Sequence, residues 1–294
     1  MDASDLKLFE SVARTGGMGR AAGELNTVQS NVTARIRALE GELGCPLFVR
    51  HSRGVSLTPA GRRLLPYATR VARLLSEARR AVADDGAARG PLVLGSLETA
   101  SALRLPRILA AFATAHPTVD LTLVTGTSAE LIEQVLGAKL DGAFVAGPVR
   151  HPELAEEVMF REELVLLTAP RVRGWADLAD ERGLKLIVFR AGCSYRQRLE
   201  AMLAERGIVG VRRLEFGTLD GILGCVAAGI GVTMLPRAVI APNWLDILAM
   251  HELPRGEGRV DTLFIRRSDA FAPSALTAFL GFARPVPIER MAAE

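Results

Sequence analysis

The densest run of side chains able to read a nucleic acid is Gln29, Ser30, Asn31, Thr33 and Arg37, with nothing acidic before Glu40. Amide, hydroxyl and guanidinium groups at these positions match the donor and acceptor edges of base pairs and the oxygens of phosphates. Downstream, Phe48-Val49-Arg50-His51-Ser52-Arg53-Gly54-Val55-Ser56-Leu57 sets two short extended runs around a basic, glycine-containing tip. Arg50 and Arg53 are the candidates there for phosphate or minor-groove contact. Taken alone, the first feature is equally the face of any small helical bundle and the second a solvated loop.

A different chemistry is offered further along, where polar residues follow short apolar runs. Ser96, Glu98, Thr99 and Ser101 follow LVLG, Thr127 and Ser128 follow LTLVT, and Cys193, Ser194, Tyr195 and Arg196 follow LIVFRAG; Thr218 and Asp220 precede GILGCV. In α/β lobes small ligands gather at the carboxyl ends of strands, where helix N-termini present free amides. Ser96, Thr99, Ser128, Ser194, Arg196 and Thr218 form the expected ligand-binding set. Each hydroxyl alone reads as a helix cap, and convergence from two lobes is what favours a cleft. Arg196 suits an anion or a surface salt bridge. Glu98 either pairs with an arginine or recognises an ammonium, as on an amino acid or polyamine.

Catalysis is not expected. The histidines at 51, 116, 151 and 251 lie outside these segments, and no GxSxG, P-loop, HExxH or complete GxGxxG is present. Gly229-Ile230-Gly231 is a fragment that precedes a strand instead of opening a helix. No cofactor or metal is expected either, since Cys45, Cys193 and Cys225 include no CxxC. Cys193 begins a helix, which favours a thiolate, so a cysteine-based redox sensor stays as an alternative, although Cys225 sits among apolar residues. The longest uncharged stretch, Gly221 to Pro236, has 16 residues and four glycines, short of the roughly 18 apolar residues of a membrane span. The opening MDASDLKLFE has no basic n-region, so a cytoplasmic chain with no membrane partner is expected rather than an exported solute-binding protein.

The elements that must position these residues follow from periodicity. Leu6, Phe9, Val12 and Ala13 form one helical stripe, a short helix runs from about Gly19 to Leu25, and Val32, Ile36 and Leu39 mark a third helix from about Val28 to Gly41. That pattern is a helix-turn-helix. Thr58-Pro59 starts a long helix to about Val82, with Leu64, Val71 and Ala78 at seven-residue spacing and Tyr67, Leu74 and Ala81 between them. Such a narrow seam is half buried on a solitary helix, so pairing with a second copy is expected. Asp84-Asp85-Gly86-Ala87-Ala88-Arg89-Gly90-Pro91 reads as a hinge. Beyond it short β runs alternate with helices, which predicts parallel sheets covered by helices, an α/β fold large enough for two lobes. Charge divides the same way: residues 1–90 carry 14 basic against 9 acidic side chains, and the rest 22 against 24. A cationic first third points to a polyanionic partner.

Three segments, DLKLFESVARTGG, NTVQSNVTARIRALEGELGCPLFVR and SLTPAGRRLLPYA, together resemble the LysR-type transcriptional regulators. GSLETASALRLP, LDGAFVAGP, FRAGCSYRQRLE and GCVAAGIGVTMLP are similar to the YofA-like branch of that family. The resemblance implies a winged helix-turn-helix at 1–57, a dimerising linker helix and hinge at 58–90, and an effector domain at 91–294. The last would resemble type 2 periplasmic binding proteins, with lobe 1 at about 91–163 and 267–294 and lobe 2 at about 164–266. It further implies a homodimer or homotetramer that binds double-stranded DNA and responds to a small-molecule effector between the lobes. Gln29, Ser30 and Thr33 fall where the family reads bases, Arg53 matches the wing arginine, and Thr99 and Ser128 match hydroxyls that hold effector carboxylates. Thr33-Ala34-Arg35 departs from the family's Ser-Arg-Gln or Thr-Arg-Gln, placing Arg35 one residue late, a rotation of about 100°. Val28, Gly17 and Gly19 also stand where the family often has hydroxyl residues.

Overall fold

The computed structural model describes residues 1–52, 54–180, 183–254 and 256–284, and the chain divides into two units, Met1–Asp85 and Gly86–Glu294. The division falls inside the expected hinge. The expectation for Arg53, and residues 285–294 of the expected lobe 1, lie outside the described residues.

The first unit contains α1 (Ala3–Thr15), α2 (Met18–Glu24), α3 (Gln29–Leu43), the hairpin β1 (Phe48–His51) and β2 (Gly54–Leu57), and α4 (Pro59–Ala83). Asp2 starts α1 by accepting the Ser4 and Asp5 amides, while the Asp5 carboxylate accepts the Asp2 amide in return. Gly16 and Gly44, with φ of 69° and 67°, end α1 and α3 in the left-handed region. The apolar stripes meet as expected: Phe9, Val12, Val32, Ile36 and Leu39 are buried, and the Phe9 and Phe48 rings lie 5.2 Å apart. Thr58 caps α4 by accepting the Gly61 amide, with Pro59 in the first turn. The long stripe of α4 is divided in its use. Leu64, Leu65, Ala68 and Val71 pack on this unit's own core, whereas Tyr67, Leu74, Leu75 and Val82 are exposed. Leu64 and Val71, expected in the seam between copies, therefore serve the unit itself.

The second unit runs β3 (Gly90–Ser96), α5 (Glu98–Leu103), α6 (Leu105–Ala115), β4 (Val119–Thr125), α7 (Ser128–Leu136), β5 (Gly142–Ala146), β6 (Leu154–Thr168), α8 (Trp175–Asp180), β7 (Lys185–Phe189), α9 (Ser194–Glu205), β8 (Arg212–Phe216), α10 (Leu219–Ala227), β9 (Thr233–Pro236), β10 (Ala249–Glu252), β11 (Arg259–Arg267) and α11 (Ser274–Ala283). The sheets are mixed, not parallel throughout. β3 pairs parallel with β4 and β5, but β11 is antiparallel to β5 and β6.

The 15-residue strand β6 belongs to both lobes. Its residues 154–163 pair with β11, and from Leu164 onward it pairs with β9 on one side and β10 on the other. β7 and β8 are parallel, and Leu186 of β7 bridges to Val232, joining that pair to the lobe 2 strands. The return to lobe 1 lies before Arg259, not at 267, because β11 pairs with β6 along its whole length. Charged Arg259 and Asp261 interrupt the apolar pattern at the start of this strand. α11 closes lobe 1, where Phe279 meets Phe112 at 5.2 Å. Among the described residues no helix is long and apolar enough to cross a membrane.

Candidate nucleic-acid interface and interlobe cleft

Helix α3 buries Val32, Ile36 and Leu39 and turns the opposite side outward. At about 100° per residue, Ser30, Ala34, Arg37 and Ala38 occupy the centre of that outward side, with Gln29 and Thr33 on one flank. Gln29, Ser30 and Arg37 are exposed and Thr33 is half-buried. The glycine at 19 leaves room for Gln29, since a β-carbon there would lie 3.1 Å from the Gln29 Oε1. Glu40, the first acid of the helix, is turned away: its Oε1 accepts the amides of Leu47 at 2.7 Å and Phe48 at 3.1 Å, anchoring the hairpin to α3. Sequence reading found Glu40 but not this role, because the hairpin amides that it meets come from beyond the helix.

Two expected contacts have other partners. The Arg35 Nε donates to Asp5 Oδ1 at 3.1 Å, with Asp2 3.6 Å from its Nη2, so this guanidinium ties α3 to the start of α1. The one-residue displacement is the physical reason, since it carries Arg35 round the helix to the α1 side. Asn31 donates to the Thr27 hydroxyl at 3.0 Å and so braces the turn before α3. In the hairpin, Phe48 faces Leu57 and His51 faces Gly54, with Arg50 exposed. Val55 N–H donates to the Gly16 carbonyl at 3.1 Å. Gly54 has φ of 133°, and a β-carbon there would come within 2.4 Å of the same carbonyl oxygen. Only glycine allows the hairpin to seat on the α1–α2 turn in this way.

In the second unit, the carboxyl ends of β3, β4, β7 and β8 converge on a cleft of about 50 Å³, open to solvent on one side. Glu98, Thr99, Thr125 and Glu130 line it from lobe 1, and Phe189, Arg190, Tyr195 and Phe216 from lobe 2. The Tyr195 hydroxyl hydrogen-bonds Thr99 across the cleft, and burial pushes its pKa up to about 12. Ala129 N–H reaches the Gly192 carbonyl at 3.4 Å. Gly192, with φ of 94°, permits that approach, since a β-carbon would stand 2.8 Å from the Thr127 Oγ1. Hydrogen bonds from the Thr127 amide and hydroxyl, followed by the charge of Arg190, hold Glu130 below the usual carboxylate range.

Of the ligand-binding set read from sequence, Thr99 lines this cleft. Ser96 is wholly buried and donates to the Leu97 carbonyl. Thr127 takes the cap of α7, which leaves Ser128 in the first turn with its hydroxyl accepting the Ala146 amide at 3.3 Å. Arg196 is held by Glu200 at 3.1 Å and Glu215 at 2.6 Å, the salt-bridge alternative. Thr218 caps α10, so its neighbour Gly217 lines the cleft instead. Ser194 opens α9 beside the lining residues Cys193 and Tyr195 without lining it. Arg190, Phe189 and Phe216 were missed, although the segment FRAGCS that follows a strand could have pointed to the first two. For Cys193, burial pushes the thiol up despite hydrogen bonds from the Arg196 and Tyr195 amides. The helix start does not yield a thiolate.

Residues 3–62 match the bacterial regulatory helix-turn-helix protein, lysR family, and residues 85–287 match the LysR substrate binding domain. Over 276 residues the chain is 42% identical to the HTH-type transcriptional regulator GltR of Bacillus subtilis (strain 168), covering 94% of this chain and 93% of that one. It is 41% identical over 289 residues to the HTH-type transcriptional regulator YofA of Bacillus velezensis, covering 98% and 99%. Full-length CbnR complexed with its target DNA superposes with a TM-score of 0.60 at 26% identity, over 96% of this chain and 99% of that chain.

Proposed function

Because this chain belongs to the LysR family of bacterial helix-turn-helix transcriptional regulators, we propose that α3 enters the major groove of its operator and that a small effector in the interlobe cleft controls the outcome. The observation that carries this reading is the outward side of α3, where Ser30, Ala34, Arg37 and Ala38 stand clear while Glu40 is drawn into the hairpin. Gln29, Ser30 and Thr33 read bases; Arg37, Arg50 and Arg53 contact phosphates. Asn31 and Arg35 position the helix. That CbnR, 26% identical to this chain, was solved in complex with its target DNA supports reading the first unit as a DNA-binding module.

Two copies pair through the exposed Tyr67, Leu74, Leu75 and Val82 of α4, as a homodimer or as half of a homotetramer, and so address an inverted repeat. The effector meets Thr99, Tyr195, Arg190 and the two phenylalanines, and acts by binding one lobe arrangement more tightly than another. Work on chromosomal DNA places the protein in the cytoplasm, as a regulator and not an enzyme. The raised thiol of Cys193 disfavours redox sensing. Fluorescence anisotropy of full-length protein with duplexes from its own upstream region, at low ionic strength, tests the reading. Saturable binding that Ser30→Ala and Arg37→Ala weaken is expected, and no binding to any of these duplexes overturns it.

A further inference from the structure

The cleft carries charges of both signs, which a simple anion or a simple cation leaves half answered. Glu98 and Glu130 contribute two carboxylates and Arg190 one guanidinium. Glu130 is engaged by the Thr127 amide at 2.9 Å and hydroxyl at 3.0 Å. The Glu98 side chain, by contrast, has no hydrogen bond or ion pair among the described residues, and neither has the Arg190 guanidinium, which feels the charge of Glu130 from beyond salt-bridge distance. Two amides at the start of α7 are already engaged. In α7, Ala129 N–H bonds the Gly192 carbonyl and Glu130 N–H the Thr127 hydroxyl. Among the charged side chains of the cleft, Arg190 is the one that suits a carboxylate, and Glu98 the one left for an ammonium.

Resting on the reading of this cleft as the effector site, we infer that the effector is a zwitterion of the amino-acid class, its ammonium on Glu98, its carboxylate on Arg190 and its carbon portion between Phe189 and Phe216. A bare carboxylic acid would enter a site facing two like charges, and a bare amine would leave the Arg190 guanidinium unanswered. An amino acid answers both charges at once, and the aromatic rings supply the apolar wall that most of its remaining surface requires.

The test is a thermal-shift and calorimetric screen of the full-length protein with the standard amino acids, each alongside the amine lacking its carboxylate and the acid lacking its ammonium. At least one amino acid should raise Tm, with both truncated analogues binding about tenfold more weakly or worse. Glu98→Gln and Arg190→Gln should each weaken the amino acid by a similar factor while circular dichroism reports an unchanged fold. No shift with any amino acid overturns the inference, as does an acid lacking the ammonium that binds as tightly as its parent. If that acid is nevertheless lost in Phe216→Ala, the ligand class falls and the cleft reading stands. If an amino acid binds but ignores Glu98, Arg190 and Phe216 alike, both fall.

Discussion

Arg35→Ala separates two roles that its position in α3 allows. As a phosphate contact, its loss would reduce the slope of log affinity against log salt by about 0.9. Between roughly 50 and 200 mM salt that is a loss of affinity about 3.5-fold smaller than in the wild type. The structure instead pairs the Arg35 side chain, 36% exposed, with Asp5 and Asp2. The slope should therefore stay at its wild-type value, whereas Arg37→Ala, at an exposed position, should lose the 0.9. Stability should respond in its place. A partly exposed pair of this kind contributes about 0.2–1 kcal/mol, readable as the coupling in an Arg35→Ala and Asp5→Asn double-mutant cycle by urea unfolding. Burial works to raise the Asp5 carboxyl, but the Arg35 hydrogen bond, the Asp2 amide and the Arg35 charge outweigh it and hold the folded pKa below the unfolded value. A contribution of that sign is fully present above the unfolded pKa and disappears as pH falls through the folded one. Coupling should accordingly vanish in acid. A slope that drops by about 0.9 for Arg35→Ala, with no coupling to Asp5, refutes the assignment.

Other substitutions test the remaining elements. Gln29→Ala and Thr33→Ala should each cost about 1–3 kcal/mol of discrimination between operator and random duplex; equal losses on both duplexes would remove the residue from the reading set. Gly54→Ala should destabilise the first unit by about 1–3 kcal/mol, and also weaken DNA binding, because the hairpin must leave the Gly16 carbonyl. A Gly54→Ala protein with wild-type urea midpoint would contradict the seating. Tyr195 should ionise near pH 12, seen as the alkaline difference spectrum that Tyr195→Phe removes. Its raised pKa means that the stability it contributes is intact below the ordinary value of 10.0 and is lost as pH rises through about 12, which a pH series of unfolding midpoints checks.

Much of the site was legible in particular residues. The stripe Val32, Ile36 and Leu39 determined which side of α3 faces outward, and Thr58-Pro59 marked the start of α4, because helix period and capping chemistry are local. Thr99 was legible as a polar residue after an apolar strand. Its neighbours in the ligand-binding set were not, since one residue of helix register decides whether a hydroxyl caps, packs or faces a cavity. Thr127 taking the cap from Ser128 is that case. β8, with its charged run Arg212, Arg213 and Glu215, offered no alternation to read, yet it brings Phe216 to the cleft.

The chain alone determined its family, its order of elements and the partition of charge between an amino-terminal cationic module and a nearly balanced remainder. These depend on residue type and short-range spacing. Only the tertiary structure decided that Arg35 and Arg196 are held by carboxylates, that the lobes rejoin before Arg259, and that Glu98 and Arg190 face one cleft. Those outcomes join residues from 19 positions apart, Arg196 and Glu215, to 113, Leu154 and Arg267, and no local pattern records which distant side chain arrives first.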